Sequence, residues 1–372
     1  MNTKTVRCVD EVDWRTMAAG TLARLAHPTA AASCFLTSAP QVSRFAIGKN
    51  NESAQLHAHT PLQGIIDDFA PRGSSWRGIP LVKTCDVPHD ALIANCSTSI
   101  SPVAVLAHLA AHDLSHVVGL HQLIVASAGK LAWPSFTATM RRELHEHPEV
   151  WKQIHDTLAD EESRLTLRDV VRFRLSCDPE YMRSYTVRAQ DQYFEEFMKF
   201  SNETFVDAGG FDGDTSEGFA TRYPDYRKIF LFEPSTKNME AAQRRLSAFR
   251  DIEFRPIGLS DTAGTLGFND DGGSASAITR ATRSTIDVDT LDAAVPESVS
   301  FIKMDLEGWE MNALQGARRH IAEERPKLAI AVYHDSADFR LVHQFVNAFG
   351  HDYRCYLRHY TQGWSETIMY FV

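Results

Sequence analysis

At 372 residues the chain has room for two or three domains, and its 44% hydrophobic and 23% charged residues are those of an ordinary globular protein. A formal net charge of −10, with no basic run, disfavours a long nucleic-acid footprint. No stretch approaches the ~20 apolar residues of a membrane span, Met1–Asp10 lacks the apolar centre of a secretion signal, and six cysteines without a C-x-x-C pair suggest reduced, mostly buried thiols and a cytoplasmic address.

In chain order, Val12, Met17, Leu22 and Leu25 keep helical spacing between Asp10 and His27, with Asp13 as a candidate cap. Short strands follow at Ser43–Lys49, Leu62–Asp68, Gly78–Lys83 and Asp90–Cys96. Pro102 opens a helix to about Val118, and Leu123–Ala126 reads as a fifth strand. Alternation this dense describes a small parallel α/β layer over residues 1–134. His108, His112 and His116 fall four apart on that helix, with His121 nearby. Two such histidines can clasp a metal, yet no cysteine or carboxylate constellation accompanies them, so a structural role is the reading adopted. Residues 135–200 are polar and helix-like, with Arg141, Arg142, Glu143, Glu146 and Glu161–Arg164 as solvated charges and Pro179 as a divider. Gly and Ser are sparse there, which describes a helical connector rather than a floppy linker.

Residues 201–372 carry the chemistry. Thr204–Ser216 reads as a strand ending in Asp207, a turn crowded with Gly209, Gly210 and Gly213, and a helix start at Asp214-Thr215. Glycine lets backbone approach a ligand, and the free N–H groups of a helix start attract anions. The spacing Asp-x-Gly-x-x-x-Gly is not the Gly-x-Gly-x-x-Gly of a dinucleotide site. Ile229–Pro234 is a second buried strand ending in Glu233, where a ribose diol is held in such sheets. A third strand is expected near 253–257. Ser300–Glu310 runs from strand into acids (Asp305, Glu307), and Lys327–His334 ends in a histidine. Between Thr265 and Asp292 lies an irregular insert containing the Gly-rich Phe268–Ser276 loop, a candidate substrate flap or plain disorder. Asp352–Leu357 and Glu366–Phe371 close the sheet as a final pair. Strands that all end in polar residues on one edge of an open parallel sheet describe one site.

Val206–Thr215, Phe232–Pro234, Leu259–Asp261, Val288–Asp292, Phe301–Gly308, Tyr333-His334 and Leu357–Tyr360 together resemble the FkbM family of S-adenosylmethionine-dependent methyltransferases. The likeness covers roughly Asp191–Val372, with Gln192–Glu195 included; Tyr193 and Phe194 there would lid the cofactor or pack in the core. Gly210 and Asp212 depart from the family's usual Ala and Asn. The resemblance implies a class I methyltransferase fold, a seven-stranded doubly wound sheet whose last strand is antiparallel.

It also implies how the cofactor sits. The turn Asp207, Ala208, Gly209, Gly210, Gly213 would take the methionine end, with Asp214 and Thr215 at the helix start facing its carboxylate. Glu233 would accept both ribose hydroxyls, Ser260 and Asp261 would lie at the adenine, and Asp207 or Asp305 would balance the amino group. An alcohol acceptor must lose a proton, which calls for a base or a metal. His334 leads as base and His359 follows. Asp305, Lys303 and Glu307 would orient the acceptor or hold a divalent ion; metal dependence stays open. The implied reaction is O-methylation of a sugar, glycan precursor or secondary metabolite. A homo-oligomer is left open.

The N-terminal unit resembles the degenerate Rossmann-like domains that precede some such enzymes. Gly48 with Asp67 or Asp68 would serve a second nucleotide site. The Gly48–Asn51 turn lacks the further glycines that phosphate approach needs, so a scaffold is the reading preferred. Two rivals remain: a dinucleotide-dependent oxidoreductase or epimerase using the first domain, and a silent binding module.

Overall fold

The computed structural model describes residues 13–39, 41–269, 277–278 and 284–372. It divides into two compact units: the described part of Met1–Thr157 with Leu167–Tyr185 and Gln362–Trp364, and Leu158–Thr166 with Thr186–Thr361 and Ser365–Val372.

The first unit holds strands β1 (Arg44–Ile47), β2 (Gly64–Ile66), β3 (Ser75–Trp76), β4 (Ile79–Val82), β5 (Leu92–Asn95) and β6 (Val117–Gly119). They form one sheet in the order β3-β4-β2-β1-β5-β6, parallel except at β3–β4. Phe45, Ile66, Val87, Ala91, Ile93, Leu109 and Leu114 pack one core against it.

Here the structure corrects the sequence reading. The Pro102 helix stops at Ala110 rather than near Val118. Asp113 takes a left-handed φ of 59°, and Leu114 turns into the core. The fifth parallel strand is Val117–Gly119, not Leu123–Ala126. Leu120–Ala126 is instead a helix burying Leu120, Leu123 and Ile124 on one face. A short apolar run reads the same as buried strand or buried helix; here the β-branched Val117-Val118 makes the strand. His116 therefore leaves the helix. His108 Nε2 lies 3.0 Å from Asp68 Oδ2, and His112 Nδ1 lies 2.9 Å from the His108 carbonyl.

Helices Ser135–Glu146, Pro148–Thr157 and Glu161–Ser176 follow, and Asp178 caps a 3₁₀ turn at Pro179–Met182.

The second unit contains β7 (Thr204–Ala208), β8 (Lys228–Phe232), β9 (Ile252–Arg255), β10 (Gly258–Leu259), β11 (Gly264–Asn269), β12 (Ala277–Ile278), β13 (Ser284–Asp289), β14 (Phe301–Met304), β15 (Lys327–Ala331), β16 (Cys355–His359) and β17 (Thr367–Phe371). Seven of them make the sheet β16-β17-β15-β14-β7-β8-β9, parallel save for β17, which runs against both neighbours. This is the expected seven-stranded sheet. Its central strands β7 and β14 are buried at every position.

The stretch read as an irregular insert is in part a second sheet, β10-β13-β11-β12, in which Gly264–Phe268 pairs antiparallel with Ser284–Val288. Alternation in Thr285-Ile286-Asp287-Val288 suits a strand with one solvated face. Of the Phe268–Ser276 loop, residues 270–276 lie outside the described residues.

Candidate functional site

β7, β14, β8 and β15 run parallel, so Asp207, Asp305, Glu233 and His334 come to one edge of the sheet. Asp207 and Lys303 face each other in register on neighbouring strands. Both are buried, and Lys303 Nζ stands 3.0 Å from Asp207 Oδ1. Ser216 Oγ donates to the other Asp207 oxygen at 2.7 Å. Lys303 also donates to the Gly209 carbonyl at 2.7 Å. Burial works against its charge, but Asp207 and Asp305 outweigh burial and hold its pKa above the ordinary lysine value. Lys303 thus joins the Asp207 carboxylate to the Gly209 carbonyl of the glycine turn.

The turn has little room for side chains. Gly209 has φ +77°, and a Cβ there would lie 2.0 Å from the Asp305 carbonyl oxygen. One at Gly210 would meet the Leu231 side chain at 2.4 Å. The N–H groups of Gly209 and Gly210 both donate to the Phe232 carbonyl at 3.0 Å. Gly213 (φ +85°) caps the helix Asp214–Arg222 without a side-chain bond, so the first-turn N–H groups other than that of Thr215 have no side-chain cap among the described residues. Thr215 N donates to Asp214 Oδ1. Asp212, the departure from the family pattern, ion-pairs with Arg245, which also binds Glu217. The Asp212 Oδ1 is buried without a hydrogen-bond partner among the described residues, and the Asp212 charge adds to the burial that raises the pKa of Asp214 at the helix start.

Glu233 takes the Phe211 N–H on Oε2 at 3.0 Å and the Ser235 N–H on Oε1 at 2.8 Å. Burial lifts its pKa against these bonds. Asn238 Nδ2 also donates to Oε1 at 3.5 Å, so the open acceptor position lies on Oε2, where a ribose hydroxyl would bind. Ser260 Oγ bonds Asp261 Oδ1 at 2.9 Å and receives the Trp309 indole N–H at 3.2 Å. Trp309 was not singled out from the sequence.

The third part of the edge is a charged cluster. Asp305, Glu307 and His334 each offer a ligand atom within 4.8 Å of the others, the one such group of three or more among the described residues. His334 Nε2 lies 3.6 Å from Asp305 and 3.4 Å from Glu307, and Nδ1 lies 3.0 Å from Glu310. The ring is 8% exposed, yet neither nitrogen makes an aligned hydrogen bond. Burial works to discharge it, but Glu307, Glu310 and Asp305 outweigh burial and push its pKa up to about 11. Asp305 also accepts from the hydroxyls of Tyr193 (2.8 Å) and Tyr333 (3.1 Å). Gln192 Nε2 donates to Tyr193 Oη at 3.0 Å and to Glu366 at 2.9 Å. Tyr193 is therefore core-packed, with its hydroxyl in the cluster.

Sequence reasoning named Tyr333 only within the Tyr333-His334 motif and missed Ser216, Glu310 and Glu366 as site residues. Only Glu310 carried a signal, an acid opening a helix just after a glycine, and it accepts the Leu306 N–H at 2.6 Å. His359 stands apart from this cluster's contacts: its ring lies 2.8 Å from Thr367 Oγ1 and 3.3 Å from Thr361 Oγ1, and it is buried.

Residues 207–355 match the family model of the methyltransferase FkbM domain. The crystal structure of the FkbM methyltransferase from Methylobacillus flagellatus is similar over 96% of this chain and 98% of that one, at 24% identity and a TM-score of 0.74. That is a likeness of fold. An rRNA methylase from Streptococcus thermophilus (17% identity, 46% of this chain, 86% of that one, TM-score 0.31) is more distant. So is an Aeropyrum pernix fibrillarin with bound S-adenosyl-L-methionine (12% identity, 46% of this chain, 67% of that one, TM-score 0.32). Neither bears on function here. No curated protein matches the chain.

Proposed function

Since residues 207–355 carry a methyltransferase FkbM domain, the chain is an S-adenosylmethionine-dependent methyltransferase, and we propose that it methylates a hydroxyl of a sugar, glycan precursor or secondary metabolite. In this reading residues 201–372 are the catalytic domain, 135–200 the connector and 1–134 an accessory domain. The observation that supports it most is the joining of three parts on one sheet edge: a glycine turn pinned by Lys303, an acid at the next strand end, and the Asp305–Glu307–His334 cluster. The turn and the open helix start receive the methionine end, and Glu233 receives the ribose diol. Asp207 is buried against Lys303 and Ser216, whereas Asp305, which accepts the Tyr193 and Tyr333 hydroxyls, is partly exposed and is the carboxylate within reach of the amino group or the acceptor.

Methyl transfer is an in-line displacement, and positioning supplies much of its acceleration. The acceptor proton passes to the His334 cluster. Calorimetry with S-adenosylhomocysteine tests the cofactor part: binding is expected in the intact protein and lost in Glu233→Ala. His334→Ala should keep that binding and lower turnover by about a hundredfold; undiminished turnover removes His334 from the reaction.

A second reading of the cluster rests on its geometry. The unaligned His334 nitrogens and the converging carboxylates fit a divalent cation, held by Asp305, Glu307 and His334. Bound there, it would offset the carboxylate charge and acidify an acceptor hydroxyl. The two readings differ in pH profile. Without a cation His334 carries its proton at neutral pH, so kcat/KM should climb with pH toward about 11. With one, chelation should abolish turnover and Mg²⁺ or Mn²⁺ restore it, with a plateau near neutral pH.

A further inference from the structure

We propose that the first unit binds a nucleoside diphosphate, free or carrying a sugar, in the cavity at the carboxyl ends of β1, β2 and β5. The cavity holds about 910 Å³ and is lined by Lys49, Asp67, Asp68, Phe69, Ile100 and Ser101 among others. The chain passes from β1 to β2 and β4 on one side, and to β5 and β6 on the other. The cavity thus opens where strand order reverses, the place where open α/β sheets take ligands. Its volume lies in the roughly 300–1,000 Å³ range of small-molecule sites.

Each part of such a ligand has a counterpart. Asp67 Oδ1 accepts two backbone N–H groups and Oδ2 pairs with Lys49. Asp68 Oδ1 accepts the Thr84 N–H, while Oδ2 meets the Thr84 hydroxyl and His108. A carboxylate has about four lone-pair sites, so each aspartate keeps one acceptor position, a pair suited to the two hydroxyls of a ribose. Lys49 is 43% exposed and able to swing to a phosphate. Ser101, at the N-cap of the helix Pro102–Ala110, makes no side-chain cap bond. A Cβ at Gly48 would lie 2.7 Å from Ser97 N, so this glycine serves the packing of the β1 turn against the β5 turn.

Phe69 argues that something covers the mouth. It is 99% exposed, although its loop is fastened: Asp67 Oδ1 holds the Phe69 and Ala70 N–H groups, and Lys83 Nζ donates to the Asp68 carbonyl at 2.6 Å and to that of Ala70. An aromatic ring held in water forgoes the gain of burial, which a stacked base recovers. Ile100, also exposed, lines the same cavity. The cavity behind the ring favours a small ligand over a protein surface.

Calorimetric titration of the full chain with UDP, ADP and UDP-glucose tests this, independently of the methyl-transfer reading. At least one should bind with Kd at or below about 0.1 mM, and comparing UDP with UDP-glucose tells whether the sugar adds to the site. Phe69→Ala, which removes only an exposed ring, should weaken binding about tenfold, as should Asp67→Asn; Glu233→Ala should leave it unchanged. No heat at about 1 mM ligand, or loss in Glu233→Ala with none in Phe69→Ala, overturns the proposal. So does a dimer that Phe69→Ala dissolves in a chain that binds no nucleotide.

Discussion

Lys303, 3% exposed in the middle of a parallel sheet, is tolerated because Asp207 stands beside it in register. Removing one member of a buried pair strands the other charge, at a cost of about 3–5 kcal/mol. Lys303→Met should lose that much stability in urea unfolding, and adding Asp207→Asn should recover most of it. Equal loss in both would mean the lysine acts through its length and not its charge. Burial, with Glu310 alongside, lifts the Asp338 carboxyl to about 7. The folded state therefore holds a proton that the unfolded state has released, and stability falls as pH rises from about 4 to 7. Asp338→Asn should flatten that fall by up to about 1.4 kcal/mol per pH unit, read from urea titrations at several pH values; unchanged slopes would contradict it. Asp207 was legible as a strand-end acid, but its partner was not. Register between strands nearly a hundred residues apart leaves no local trace, so Lys303 read as an acceptor-binding residue.

At the scale of elements, the glycine turn is the part that tolerates least. Gly209→Ala adds a Cβ where φ is +77° and the Asp305 carbonyl lies 2.0 Å away. The turn must shift, so cofactor binding should fall by at least about tenfold and stability by about 2 kcal/mol or more. Wild-type affinity for S-adenosylhomocysteine in this variant would show that the turn is not the cofactor's cradle. Most strands of the large sheet could be read because they are apolar runs ending in a polar residue or turn, whereas β9 (Ile252–Arg255) alternates apolar and charged residues. The first unit's last strand and helix were exchanged because Val117–Gly119 is too short to show a period and Leu123–Ala126, the stretch read as a strand, shows only apolar residues. The small sheet was missed because β11 and β13 meet across a long interval rather than through a hairpin turn. The charged cluster was half legible. His334, Asp305 and Glu307 announced themselves at strand ends, whereas Glu366 and Tyr333 join only through folding.

On the scale of the molecule, two of the three sheets formed by the described residues carry the edges at which the proposed ligands would bind. One holds Gly209 and Glu233 in the second unit. The other holds Gly48 and Asp67 in the first unit. Both edges follow from parallel strands that deliver their carboxyl ends to one side. The most direct test of the account is a crystal structure of the full chain with S-adenosylhomocysteine. It should show the ribose hydroxyls on the Glu233 carboxylate and the methionyl group at Gly209–Gly213. A nucleoside found only at Asp67–Phe69, with the Glu233 edge unoccupied, would contradict it.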